Sequence, residues 1–112
     1  MVSIDKLKKC KNEKEFKELW HSPHKFLWEY DSWVLARHCA DYFEIWWDPL
    51  KYNFKNYYHT LMEYCTVYFE IWWDEDLLKW DDFHIDCLDA CCPMYKHIWV
   101  KRAVIEKIKL GI

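Results

Sequence analysis

The seven residues Tyr-Phe-Glu-Ile-Trp-Trp-Asp at positions 42–48 occur again, letter for letter, at 68–74. The match extends backwards at the same offset of 26 residues, because Leu-x3-Cys precedes both copies, starting at Leu35 and at Leu61. A motif that recurs at a fixed distance is the sequence signature of an internal structural repeat. The sequence therefore predicts that one structural element is built twice.

The spacing inside each copy favours a helix over a strand. In the first copy, Leu35, Cys39, Tyr42 and Trp46 are separated by four, three and four residues, which places them in one stripe of an α-helix. Pro49 ends the pattern, since proline disfavours helix in the residue before it. We predict an all-α fold, a small bundle of four to five helices in which two central helices are related by the 26-residue repeat.

An α+β fold is the alternative. Tyr, Phe, Ile and Trp have high strand propensity, so each helix could instead run into a strand, at 41–47 and at 67–73. The chain has a single glycine, Gly111, whereas hairpin-rich folds need glycine at their turns. The composition therefore favours helices, within one domain that covers residues 1–112.

Capping residues predict where several helices begin. Ser3 and Asn12 precede short amphipathic stretches, and Asn53 precedes a helix predicted to run unbroken over 54–73. The pair Ser22-Pro23 has the order of a capping hydroxyl followed by proline at the first helical position. Each of these sites is predicted to start a helix, and Asp31-Ser32 offers a second start, so 24–30 is either a separate turn or the opening of one long helix.

A weaker echo of the repeat follows near the C-terminus at the same offset. It pairs Cys91 with Cys65, Tyr95 with Phe69 and Trp99 with Trp73. If this echo belongs to the pattern, further helical elements are built from the same unit and lie side by side.

Charge and aromatic content point to a binding function. Residues 29–95 carry fourteen acids against four bases, a net charge of −10, whereas residues 1–28 and 96–112 carry +3 and +4. An acidic, aromatic centre repels phosphate, so nucleic-acid binding is not expected. With nine Trp, eight Tyr and six Phe, one small core cannot bury every ring, and exposed Trp and Tyr typically anchor interfaces.

We therefore predict a small intracellular, cytoplasmic protein-interaction module that is not an enzyme and needs no cofactor. Its partner is predicted to be a protein or a second copy of the chain. Accessory proteins of viruses and phages that bind and inhibit a host protein are often of this size and composition. The predicted partner-binding residues are the acids and second tryptophans of the repeat: Glu44, Trp47, Asp48, Glu70, Trp73 and Asp74.

Two other functions stay open. A Trp-lined cavity between the repeat helices could hold a planar small molecule. A zinc site could use donors that lie close in sequence, although no Cys-x2-Cys pair occurs. The candidate donors are His21, His24, Cys87, Cys91, Cys92 and His97.

Several chemistries are excluded in their usual forms. The chain has no internal glycine before Gly111, so it lacks the glycine-rich phosphate loops and the nucleophile elbow. His84 and Cys87 share a helical face and are the nearest candidates for a base and a nucleophile. No apolar run approaches the length of a membrane span, and the Lys-rich start is unlike a secretory signal, so no membrane association is expected.

Overall fold

The computed structural model describes residues 2–23, 26–109 and 111, and these residues form helices and no strand. The α-helices are α1 (Ile4–Lys8), α2 (Glu13–Trp20), α3 (Trp28–His38), α4 (Phe43–Trp46), α5 (Phe54–Tyr64), α6 (Phe69–Trp72), α7 (Asp82–Cys91) and α8 (Lys96–Lys109). Three 3₁₀ helices lie at Ala40–Tyr42, Thr66–Tyr68 and Pro93–Tyr95. The all-α prediction is confirmed for this part of the chain, but the helices are shorter and more numerous than the four to five expected.

Side-chain caps start four of the α-helices. Ser3, Asn12 and Asn53, the three caps named from the sequence, accept hydrogen bonds from the backbone N–H three residues on, at 3.4, 2.8 and 3.2 Å. Asp81 caps α7 in the same way, at 2.9 Å from the N–H of His84. These bonds satisfy donors that the first turn of a helix leaves without partners.

The helix start predicted at Ser22-Pro23 is wrong in position. Helix α3 begins at Trp28, and its preceding residue, Leu27, makes no side-chain cap. Instead the carboxylate of Asp31 accepts the backbone N–H of Leu27 at 3.0 Å. Asp31, a residue within the helix, thus accepts a backbone N–H at the start of α3, where no side chain before the helix does so.

Both copies of the heptapeptide fold in the same way, and neither is a strand. Each copy begins on a 3₁₀ helix and continues into four residues of α-helix, so the α+β alternative with strands at 41–47 and 67–73 is wrong. The unbroken helix over 54–73 is also wrong, because the backbone leaves the helical conformation at Cys65 (φ −118°, ψ 32°), as it does at Cys39 (φ −120°, ψ 24°).

An indole hydrogen bond closes each of these breaks. The Nε1–H of Trp46 donates to the carbonyl of Cys39 at 2.7 Å, and that of Trp72 donates to Cys65 at the same distance. Both tryptophans are buried. We call each such segment, from the cysteine to the tryptophan seven residues on, a Cys–Trp corner.

A third corner occurs near the C-terminus. The Nε1–H of Trp99 donates to the carbonyl of Cys92 at 3.0 Å across the 3₁₀ helix Pro93–Tyr95. The echo read from the sequence therefore had the wrong register. Cys92 and Trp99 correspond to Cys65 and Trp72 at an offset of 27 residues, and Cys91 is not the matching cysteine.

Each corner is tied to the neighbouring helix of the row. The buried thiols of the corner cysteines, which follow α3, α5 and α7, donate to main-chain carbonyls of α1, α3 and α5, and these contacts are weak but recurrent. The pairs are Cys39 with Leu7 (3.6 Å), Cys65 with Ala36 (3.4 Å) and Cys92 with Met62 (3.8 Å). Successive corners are thereby held in one register.

Stacked rings reinforce the same register at three levels. At each level a phenylalanine stacks on a tryptophan of its own segment and on the tyrosine of the next corner, with interplanar angles of 18° or less. The distances between the ring centroids of phenylalanine and tyrosine are 4.7 Å for Phe16–Tyr42, 4.4 Å for Phe43–Tyr68 and 4.3 Å for Phe69–Tyr95. Stacked pairs of this kind add to the free energy gained by burial.

The helices form a row. Helix α3 packs between α1 and α5, and α5 packs between α3 and α7. The molecule accordingly measures 50 × 25 × 18 Å. The helices are thus arranged in a row, in which each contacts its neighbours, and not around two central helices as predicted.

Replacing Trp72 with Phe tests the corner bond. The change removes the donor to the Cys65 carbonyl and leaves a small cavity, so we expect the free energy of unfolding to fall by about 2–3 kcal/mol. Trp47→Phe is the matched control, since its indole N–H has no acceptor in the described part of the chain, and about 1 kcal/mol or less is expected. Urea denaturation followed by circular dichroism measures both, and equal losses would contradict the role of the bond.

Candidate functional site

Two open hollows lie side by side on one face of the row. The first, of about 300 Å³, includes Trp20, Trp28, Ile45, Trp46, Trp47, Asp48 and Lys51 in its lining. The second, of about 290 Å³, is lined by Trp47, Pro49, Leu50, Phe54, Ile71, Trp72, Trp73, Asp74 and Leu77. The last four letters of the heptapeptide line both hollows, so the two sites are built by equivalent residues. Trp47 lines both and forms the wall between them.

Trp47 and Trp73 are held rigidly by other rings. Trp47 stacks on Phe43 and Trp73 stacks on Phe69, both at 4.9 Å between ring centroids. The edge of Phe54 packs against Trp47 at 5.7 Å. Both tryptophans are half-buried, so each keeps part of its ring at the surface in a fixed orientation.

The two neighbouring tryptophans of each hollow differ in how their N–H groups are used. The buried Trp46 and Trp72 donate to their corner carbonyls. Within residues 2–23, 26–109 and 111, the indole N–H of Trp47 and of Trp73 has no acceptor. Trp47 and Trp73 can therefore donate a hydrogen bond to a ligand, whereas the N–H groups of Trp46 and Trp72 are already used within the protein.

Asp48 and Asp74 lie at the rims and shape the turns there. One carboxylate oxygen of Asp48 accepts the N–H of Leu50 at 2.9 Å, and one of Asp74 accepts the N–H of Asp76 at 3.0 Å. The Tyr58 hydroxyl accepts the N–H of Asp74 at 2.7 Å and donates to its carbonyl at 3.0 Å. Each acid thus lies next to a tryptophan of its own copy of the heptapeptide.

Glu44 and Glu70 are placed differently from the aspartates. Glu44 is exposed and lines an adjoining acidic depression of about 240 Å³ together with Glu13 and Asp41. Ile45 lines both that depression and the first hollow. Glu70 is exposed at the equivalent position of the second copy. The structure thus groups Trp47 with Asp48 and Trp73 with Asp74, while Glu44 lies next to the first hollow.

Sequence reasoning missed the apolar side chains around the second hollow. Leu50 is 95% exposed, Ile71 54% and Leu77 48%. Leu50 follows Pro49 in the turn after the first copy, and that position was the available signal, since a leucine in an exposed turn has no core to join. The first hollow has Lys51 at the place of Leu77, so it is the more polar of the two.

Within the described residues, no hydrogen bond joins His84 to Cys87, the candidate base and nucleophile. His84 directs its Nδ1 to the carboxylate of Asp81 at 2.6 Å and packs near His59, with 6.3 Å between the rings. Partial burial raises the pKa of Asp81, but hydrogen bonds from the backbone and ring of His84 outweigh it and lower that pKa. The Asp81–His84 pair therefore stabilises the start of α7.

The possible zinc donors do not converge in the part of the chain that the structure describes. No group of three or more His, Cys, Asp and Glu side chains there has a geometry that could hold a metal ion. Cys92 is buried and bonded to Met62, while His24 lies outside the described residues.

Two more findings concern the whole molecule. Among the described helices, none combines the length and the apolar character that crossing a membrane requires. The chain matches no protein-family model, no curated protein and no solved structure.

Thiol reactivity should separate the six cysteines into two groups. Burial raises the pKa of Cys39, Cys65 and Cys92 to about 12, so at pH 8 only about one in ten thousand of these thiols is ionised. Cys10, Cys87 and Cys91 are partly exposed, so iodoacetamide at pH 8 should modify them first.

Peptide mass spectrometry over a time course measures this order, with the protein unfolded in urea as the control in which all six react at similar rates. Equal rates in the folded protein would show that the corner thiols are not enclosed.

Proposed function

We propose that this chain is a small protein-interaction module that binds a partner protein, or a second copy of itself, across the two hollows and has no catalytic role. The observation that carries the proposal is the exposure of aliphatic side chains between fixed tryptophans. Leu50 is 95% exposed and Ile71 54%, beside the half-buried Trp47 and Trp73. Contiguous exposed apolar surface with an acidic rim is typical of interaction sites.

The rigidity of the walls supports binding. Trp47 and Trp73 are already ordered by stacking on Phe43 and Phe69, so a partner that covers them need not order them. Tryptophans that are fixed before binding lose little conformational entropy in a complex, which is one reason that they dominate interface energetics.

We also infer that the chain is a short array of helical units related by the repeat. The recurrence of the corner bond at three places and of the ring stack at three levels supports this. Arrays of stacked units characteristically expose extended surfaces on which equivalent positions line up, and bind partners there. The two hollows are such positions.

The charge of the surface suggests how the module acts. Glu44 is exposed next to the first hollow, Glu70 is exposed at the equivalent position, and Asp48 and Asp74 line the hollows, so the surface favours a partner with a basic contact region. A module of this kind inhibits its partner by covering that region, as expected of a viral or phage accessory protein. The six free thiols support a reducing, intracellular setting.

A planar small molecule is the second candidate ligand. The first hollow favours it, since Trp20, Trp28 and Trp47 surround about 300 Å³, near the lower limit for small-molecule sites. Such a ligand would remain with the purified protein and add an absorbance band that denaturation releases.

Replacing Ile71 with Glu should abolish partner binding without unfolding the protein. Partners captured from cells would be identified, purified and titrated by calorimetry, and we expect the affinity to fall at least about tenfold because a charge is forced into the second hollow. Val67→Glu is the matched control. Val67 is 81% exposed in the same segment, outside the second hollow, and receives the same new charge.

Three results would contradict the proposal. One is a partner whose affinity is unchanged by Ile71→Glu. The second is loss of binding that is equal in both variants. The third is the absence of any partner, combined with sedimentation that shows a monomer at all concentrations.

A further inference from the structure

We propose that the partner contributes an extended, basic segment whose apolar side chains recur at every third residue and enter the two hollows in turn. This inference rests on the proposed function and specifies the conformation and chemistry of what binds. Each hollow is lined by equivalent residues, Ile45 and Trp46 in the first and Ile71 and Trp72 in the second. Both hollows can therefore accept an apolar side chain, and Lys51 makes the first hollow the more polar of the two.

The distance between the hollows sets the spacing in the partner. Trp47 lines both hollows, so they lie next to each other, and one helix spacing, about 8–10 Å, is the expected distance between them. A segment in the polyproline II conformation rises about 3.1 Å per residue with three residues per turn, so every third side chain lies on one side at intervals of about 9 Å. Successive side chains of that set reach successive hollows.

The free indole N–H groups favour an extended segment over a helix. In the described part of the chain, Trp47 and Trp73 have no acceptor for their N–H, although Trp46, Trp72 and Trp99 all do. An extended or polyproline II segment leaves its carbonyls without internal partners, so they can accept these bonds. In a helical segment, by contrast, the backbone carbonyls already accept hydrogen bonds from within the helix.

Charge determines the other residues of the segment. Glu44, Asp48, Glu70 and Asp74 form no ion pair within the described residues. By contrast, Glu75 and Asp76, next along the chain, are both 3.4 Å from the guanidinium of Arg102, which offsets part of their charge. Lys or Arg between the apolar residues of the partner would neutralise the four acids, and proline there would hold the segment extended.

A displayed library of random peptides about twelve residues long tests the inference. It would be selected on the intact chain and counter-selected on Ile71→Glu. We expect the enriched peptides to be basic, to contain apolar residues three positions apart and to be rich in proline.

The best peptide would then be synthesised in two forms, one of them with an alanine inserted between its two apolar residues. We expect the insertion and Ile71→Glu each to weaken binding about tenfold, and Val67→Glu to leave it unchanged. In ¹⁵N–¹H spectra the indole cross-peaks of Trp47 and Trp73 should shift, and those of Trp46 and Trp72 should not.

The inference is overturned if no peptide is enriched, if the apolar residues follow helical spacing, or if the insertion has no effect. None of these results touches the proposed function, which falls separately if the captured protein binds Ile71→Glu as well as the original chain. A cellular partner that needs Ile71 together with a failed peptide selection would mean that a folded surface, and not an extended segment, covers the hollows.

Discussion

The bond from a tryptophan indole to the carbonyl seven residues earlier is the constraint from which the rest of the structure follows. At each corner the cysteine carbonyl receives two donors, the N–H that closes the 3₁₀ turn and the indole N–H. A carbonyl occupied in this way does not accept from the residue four positions on, so the helix stops and the chain changes direction. Trp46 and Trp72, which make two of these bonds, also line the first and the second hollow. Structure and candidate site thus share one interaction.

The row is maintained by contacts between neighbours, and its last corner departs from the pattern in an informative way. Counted from Cys92, the positions of Met62 and Phe69 in the preceding unit are taken by Asp89 and Lys96. Their charged groups lie 3.8 Å apart. The last corner thus has an ion pair at the positions where the preceding one has a methionine and a stacking phenylalanine.

The sequence predicted those features that depend on neighbouring residues. The caps at Ser3, Asn12 and Asn53 were found because capping is a contact over three residues. The helical class followed from the spacing of Leu35, Cys39, Tyr42 and Trp46. The same spacing could not reveal the helix break at Cys39, because these four residues have the same spacing in sequence with or without a break.

Features that depend on tertiary contacts could not be read in this way. The indole bond forms with tryptophans that are buried, and burial is a property of the folded chain. The pairing of Trp47 with Trp20 and Trp28 around one hollow joins residues that are far apart in sequence. The third corner was misaligned because a one-residue insertion moves the register from Cys91 to Cys92, and adjacent cysteines gave no means of choosing. The exposed aliphatic residues Leu50, Ile71 and Leu77 were not found from the sequence, because their exposure depends on how the chain folds around the two hollows.

The nearest-neighbour character of the thiol and ring contacts has a consequence for how such a chain can change in length. Each segment between corners carries its own donor to the helix behind it and its own ring for the tyrosine ahead of it. If such a segment were duplicated between two existing corners of the chain, the new copy would contact surfaces that it already fits on both sides. One more hollow would be added. The same geometry lets evolution or an engineer lengthen the chain by whole segments without redesigning a core.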